Sequence, residues 1–162
     1  MISLTNLIPA AAQDLQNDFA PPPVRTVTKE EASHLNEETD VKRRTKLALE
    51  LMGTHLSEAE RLSSNQDFDG MFRALGGFHG LLDNTLDFLV KHDTSNGRVL
   101  DNLKRLEIGL RAFTPRLEGI RRDLPIRYED YVQNLMKYVR DARERAIEPM
   151  FGNSVVPIKK PN

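Results

Sequence analysis

The chain has 162 residues, 39% of them apolar and 29% charged, and its 23 basic side chains nearly balance 24 acidic ones for a net charge of −1. A chain of this length makes one domain with tails; it holds no apolar run near the roughly 20 residues a membrane helix needs, and its charge balance removes the bulk electrostatic case for binding nucleic acid. With no cysteine, disulfides, thiolate metal sites and a cysteine nucleophile are excluded.

The near-neutral total hides an asymmetry. Residues 1–97 carry 15 acids and 9 bases, a balance of −6, whereas residues 98–147 carry 12 bases and 8 acids, a balance of +4. The expectation is that the two halves attract each other.

Residues 1–27 show no helical period and read as a leader or spacer. Ala10-Ala11-Ala12 before Gln13 has the small side chains of a signal cleavage site, but Met1 to Pro9 lacks the basic residue and the long apolar segment of a complete secretory signal. Export to the cell envelope is the expectation, a plain leader the alternative. Pro21-Pro22-Pro23 suits a stiff extended spacer. A helical domain should follow over residues 28–148, and a flexible tail over 149–162.

The first long helix should begin between Thr28 and Glu37, with Thr28 and Glu31 as a capping box, and run to Ser63. On it Val41, Thr45, Ala48, Met52, His55, Leu56, Ala59 and Leu62 share one face. Ser63 to Asp67 forms a turn, and Asp67 is placed to cap a second helix running to about His92. There the apolar residues from Phe68 to Leu89 span an arc of roughly 200°, too wide for one neighbour, so this is the central helix. Asp93 to Gly97 makes the next turn. In the third helix Val99, Leu103, Leu106, Leu110, Phe113, Leu117, Ile120 and Leu124 follow at steps of three or four, a coiled-coil-like seam. Pro115 falls opposite that seam, so one bent helix is expected rather than two. Leu124-Pro125 turns the chain into a fourth helix, with Tyr128, Tyr131, Leu135, Tyr138 and Val139 on its inner face, expected to end near Glu148 because Pro149 disfavours helix before it. The fold class is therefore all-α: an up-down antiparallel bundle of about four helices, made of two hairpins.

The first hairpin, with its turn between Ala59 and Phe68 followed by Ala74 and Leu75, resembles a tetratricopeptide-type helix pair over about residues 41–92. The resemblance implies a helical hairpin. The pair does not recur at the period of roughly 34 residues that such arrays require, so their peptide-binding role does not follow from it.

Three groups of residues stand out as candidates for function. The first is histidine. Reflecting the hairpin through its turn brings His55 opposite Gly76, less than one turn from His79, with Glu58 and Asp83 on the same sides. Two imidazoles and two carboxylates are a possible zinc set; the simpler expectation is two interfacial histidines, each hydrogen-bonded to a neighbour. Glu31-Ala32-Ser33-His34 supplies only one Glu-x-x-His motif where a di-iron bundle needs two. The second group is glycine. Gly76, Gly77 and Gly80 crowd the polar face of the second helix beside Arg73, Asn84 and Asp87. They form either a docking groove for a protein partner, a second protomer or the chain's own tail, or a surface of close packing against the fourth helix or the N-terminal arm. The third is arginine, thick in the second half but pointing in several directions, which suits solvated faces better than a phosphate track.

No phosphate loop or nucleophile-base arrangement stands out. The expected function is that of a non-catalytic helical interaction or scaffold protein without a cofactor. The alternative is a bundle that binds a small ligand or metal between its first two helices; an enzyme ranks third.

Overall fold

The computed structural model describes residues 19–92 and 96–151. The expectations for the leader before residue 19, the 93–95 part of the second turn and the tail from residue 152 lie outside them. The described chain is all-helical: α1 (Lys29–Glu37), α2 (Val41–Ser64), α3 (Phe68–Val90), α4 (Gly97–Arg122) and α5 (Ile126–Phe151). No helix among the described residues is long and apolar enough to cross a membrane.

Five helices replace the expected four because the first breaks at Glu38 to Asp40. The capping box forms as expected: Glu31 N–H donates to Thr28 Oγ1 at 3.2 Å, and Thr28 N–H to Glu31 Oε2 at 2.9 Å. Asp40 then caps α2 by accepting from Arg43 N–H at 2.9 Å. The buried Arg44 donates to the Leu35 carbonyl and lies over the Phe88 ring at 4.3 Å, tying the end of α1 back to the body. A cap in mid-segment, without glycine or proline, is what makes the break hard to see in the sequence.

The turn between α2 and α3 is a Schellman motif: Gln66 N–H donates to Ser63 O and Asp67 N–H to Leu62 O, both at 2.9 Å. Gln66 takes the left-handed conformation at φ 62 that this motif requires and that glycine adopts without strain. Gln66→Gly should therefore raise stability, by up to about 1 kcal/mol in thermal melts; a lower melting temperature would refute that reading of the turn.

α3 is buried on almost every side, the central position expected of it, with Met71, Leu75, Phe78, Leu81, Leu82 and Leu89 fully covered. It pairs with α2, α4 pairs with α5, and α2 joins the two hairpins by packing on α4. That joint is mainly apolar. Gly109 lets Leu49 of α2 approach α4 closely, and beside this joint Phe78 of α3 meets Phe113 of α4 edge-on at 5.6 Å. Arg116 to Glu60, at 2.5 Å, is the single ion pair among the described residues that links the oppositely charged halves; the others lie within one half. The contacts between the hairpins are thus mainly apolar, with one ion pair across the halves among the described residues.

Pro115 sits inside α4 and is exposed, as its place opposite the seam requires. Pro115→Ala should keep the fold and raise the melting temperature modestly, by about 1 kcal/mol or less in stability, since the bend is already accommodated. A clear loss would mean the proline defines the path of α4. α5 overruns its expected end: Pro149 lies within it, and the helix continues to Phe151.

Candidate binding site beneath the N-terminal arm

Phe19 to Thr28, read from the sequence as part of a tail, is an extended arm laid along α3. Its first backbone anchor is Ala20 N–H, donating to Arg127 O at the start of α5 at 2.8 Å. A longer bond follows from Thr26 N–H to Gly76 O at 3.4 Å. Arg25 pairs with Asp83 at 3.2 Å and lies 5.5 Å over the Tyr138 ring.

The glycines explain why the arm fits. A Cβ on Gly76 would overlap the Val24 carbonyl, and one on Gly80 would come within 2.7 Å of the Thr26 carbonyl. The arm's backbone can lie this close to α3 only where α3 has no side chains. Gly77 faces the other way, toward α2, and a Cβ there would overlap the His55 ring. The face expected to be polar and bare is thus buried, and the chain itself fills it. Of the polar residues expected to line it for a partner, Asn84 accepts from Arg44 at 3.3 Å, while Arg73 and Asp87 are exposed.

The four candidate metal ligands do not converge, and the simpler expectation of interfacial histidines describes His55 and His79 better. His55 Nε2 meets Glu31 Oε1 at 2.7 Å, Glu58 pairs with Arg61 at 2.6 Å, and Asp83 accepts from Tyr138 as well as from Arg25. His79 turns from α2 toward α5, where it meets Tyr131 and Tyr138. Reflection of the hairpin placed the two histidines at similar heights but not on the same side of α3. No three potential ligands gather among the described residues.

Glu31 therefore serves two partners, its own helix cap and His55. Burial alone would push its carboxyl up, but the Thr28 N–H and His55 outweigh this and hold it below the usual carboxylate range. An ionised carboxylate only accepts, so His55 Nε2 carries the shared proton. Glu31→Ala should loosen α1 and cost about 1 kcal/mol, the usual worth of a cap, with faster amide exchange confined to α1 and the arm. Unchanged exchange there would show that α1 is held by other contacts.

Under the arm lies a cavity of about 380 Å³. Ala20, Pro22, Pro23 and Arg25 form its roof, His79 comes from α3, and Asp130, Tyr131, Asn134, Leu135 and Tyr138 come from one face of α5. His79 is only 3% exposed. Its Nδ1 is 3.3 Å from the Tyr131 hydroxyl, which donates in turn toward Leu75 O at 3.5 Å, whereas no group among the described residues reaches its Nε2. Burial, reinforced by the charge of Arg25 and opposed by Asp83, pushes the His79 pKa down to about 4. Burial likewise pushes Tyr131 up.

Against the outer side of the arm runs a second hollow, a groove of about 480 Å³. Pro21 to Val24 and Phe72 give it apolar walls, with Arg73, Arg127 and Asp69 at its edge. Val24 in its wall is 77% exposed, and Phe19 and Ile126, chain neighbours of the lining residues Ala20 and Arg127, are 42% and 75% exposed. The sequence reading missed both hollows because the arm that builds them has no periodicity to betray it; Pro21-Pro22-Pro23 was its one visible signal.

No protein-family model, no curated protein and no solved structure shows significant similarity to this chain.

Proposed function

We propose that the protein is a non-catalytic interaction module that binds, in the outer groove of its N-terminal arm, a short apolar segment of a partner protein bearing acidic residues. The observation that carries this reading is the groove's composition. Its walls are proline, valine and phenylalanine, and two arginines stand at its edge. Neither Arg73 nor Arg127 takes part in the ion pairs formed among the described residues. The one acid at the edge among the described residues, Asp69, already accepts from the Tyr128 hydroxyl at 3.1 Å. Apolar side chains on a segment docked here would leave water against proline and phenylalanine, and its carboxylates would meet two guanidinium groups outside the ion pairs of the described residues, that of Arg127 lying 5.3 Å over the Tyr128 ring. Prolines already held extended have little conformational entropy left to lose on binding.

The test uses short labelled peptides that interleave Leu and Phe with Asp and Glu, against matched peptides carrying Lys and Arg. Acidic peptides should bind, more weakly as salt rises. The double variant Arg73→Glu, Arg127→Glu should lose that binding while melting like the parent, and should gain affinity for the basic peptides. Equal binding of both sets, no binding of either, or an unaffected double variant would overturn the reading.

A further inference from the structure

A third hollow, of about 440 Å³, runs between α4 and α5 and takes no residue from the arm. Its charged lining is wholly basic: Arg121 from α4, and Lys137, Arg140 and Arg143 from α5. Basic residues of the second half, expected to serve solvated faces in several directions, meet here because two helices contribute to one groove. We infer that this groove is a binding site for a short chain of linked phosphates, free or carried by a small molecule.

The acids around the groove do not cancel its charge. Arg121 is held by Glu118 and Glu129, each at 2.8 Å, and Arg143 by Glu107 at 3.0 Å. Glu107 and Glu118 are shared with Arg111 and Arg122. Lys137 and Arg140 form no ion pair among the described residues, so five arginines and one lysine face these three carboxylates. Asp141 and Glu144, one turn past Lys137 and Arg140, stand outside the lining. Thr114 and Gln133, within it, already donate to Leu110 O at 3.1 Å and to Glu129 at 2.8 Å. The unused donors are chiefly those of Lys137, Arg140 and Arg143 Nη1. These three residues stand three apart on α5, which spreads them over about 9 Å of its axis. A lone tetrahedral anion meets one or two of them, whereas a phosphate chain carries charge and acceptor oxygens along its whole length.

Tripolyphosphate without divalent metal is the probe, with orthophosphate and citrate as controls at equal ionic strength. Calorimetry measures affinity, and methionine methyl resonances report location, because Met136 lines the groove whereas Met52 and Met71 are buried in the core. Tripolyphosphate should bind saturably, at least about tenfold more tightly than either control, and shift Met136 but not Met52 or Met71. The double variant Lys137→Gln, Arg140→Gln, at exposed positions and with good helix formers, should melt like the parent and lose about a hundredfold in affinity, roughly tenfold for each charged contact. Arg73→Glu, Arg127→Glu, which reverses the charge of the outer groove, should bind tripolyphosphate as the parent does, so this inference and the peptide reading fail separately. ATP binding as tightly as tripolyphosphate would mean that the groove reads the phosphate chain alone, and tighter binding that it also holds the attached group; either upholds the site. The inference is overturned if orthophosphate or citrate binds as tightly, if nothing binds, if Met136 does not shift, if the Lys137, Arg140 variant binds as the parent does, if the Arg73, Arg127 variant loses binding, or if a single-stranded oligonucleotide binds the groove more tightly than tripolyphosphate.

Discussion

Gly80→Leu is expected to expel the N-terminal arm and lower stability by about 3 kcal/mol, at the upper end of the range for overpacking. The reason is what the new side chain would meet. Its Cβ alone would lie 2.7 Å from the Thr26 carbonyl oxygen and 2.9 Å from the Thr26 nitrogen. Both are backbone atoms, which no change of rotamer can move aside. Leucine gains up to about 1 kcal/mol of helix propensity over glycine, but this is smaller than the overlap it offsets. Ala20 N–H to Arg127 O holds the arm's far end at 2.8 Å, but the attachments nearest Gly80 are weak. The Thr26 bond is long, and the Arg25–Asp83 pair is half-exposed on the arginine side and worth little in water. The arm should leave before the helices part, so a protease should cut within residues 19–28 while the helical signal persists. Gly119 is the control: nothing lies within 4 Å of a Cβ there, and Gly119→Ala should stabilise α4 by up to about 1 kcal/mol. A Gly80→Leu protein that melts like the parent with its arm still protected would show that the arm is not seated on α3.

Acidification from pH 7 to pH 4 should cost about 3 kcal/mol through His79 alone. Folded, this imidazole takes up its proton only near pH 4, held neutral by burial and by Arg25; unfolded, it does so near 6.5. Between those values the unfolded chain binds more protons, so stability falls as pH falls. Above 6.5 both states are neutral and the residue contributes no slope. The gap of roughly 2.5 pH units, at about 1.4 kcal/mol each, sets the size of the loss. The charges facing the ring are Arg25 from the arm and Asp83 from its own helix, with the Tyr131 and Tyr138 hydroxyls from α5 and Arg145 5.4 Å from the Tyr138 ring. Glu31 and Glu107 also have lowered pKa values: in each, hydrogen bonds outweigh burial, from Thr28 N–H and His55 for Glu31 and from Arg111 and Arg143 for Glu107. Their contribution is lost as pH drops below the carboxylate value of 4.5, a lower window than that of His79. His79→Phe should therefore flatten the stability profile between pH 6.5 and about 5 and leave the steeper fall below it. Denaturant melts across that range measure the difference; parallel profiles for parent and variant would mean His79 protonates freely in the folded state.

Periodicity made most of the scaffold legible. Every long apolar stripe became a helix, Asp67 capped α3, Thr28 and Glu31 formed their box, and Pro115 stayed inside α4 on its exposed side. These features depend on residues three or four apart on one helix, where a single local rule decides the outcome. The break at Asp40 and the run of α5 past Pro149 were not legible, since each turns on contacts made from elsewhere or on a helix end that tolerates a proline.

The candidate sites divide in the same way. His55, His79 and the three glycines were singled out because each is costly or unusual on a helix, and each proves to be buried or partly buried against something specific. What they touch was beyond the sequence. A helical wheel gives a residue's angle but not which neighbour occupies it. His55 and His79 share a hairpin, yet one meets Glu31 and the other Tyr131 and Tyr138. The glycine face looked polar because glycine has no side chain to score, and its cover came from an arm without pattern. The sequence by itself determined the helices and the residues that needed an explanation. The tertiary structure decided their partners, because contacts between segments far apart in the chain depend on how whole elements pack, which no local spacing encodes.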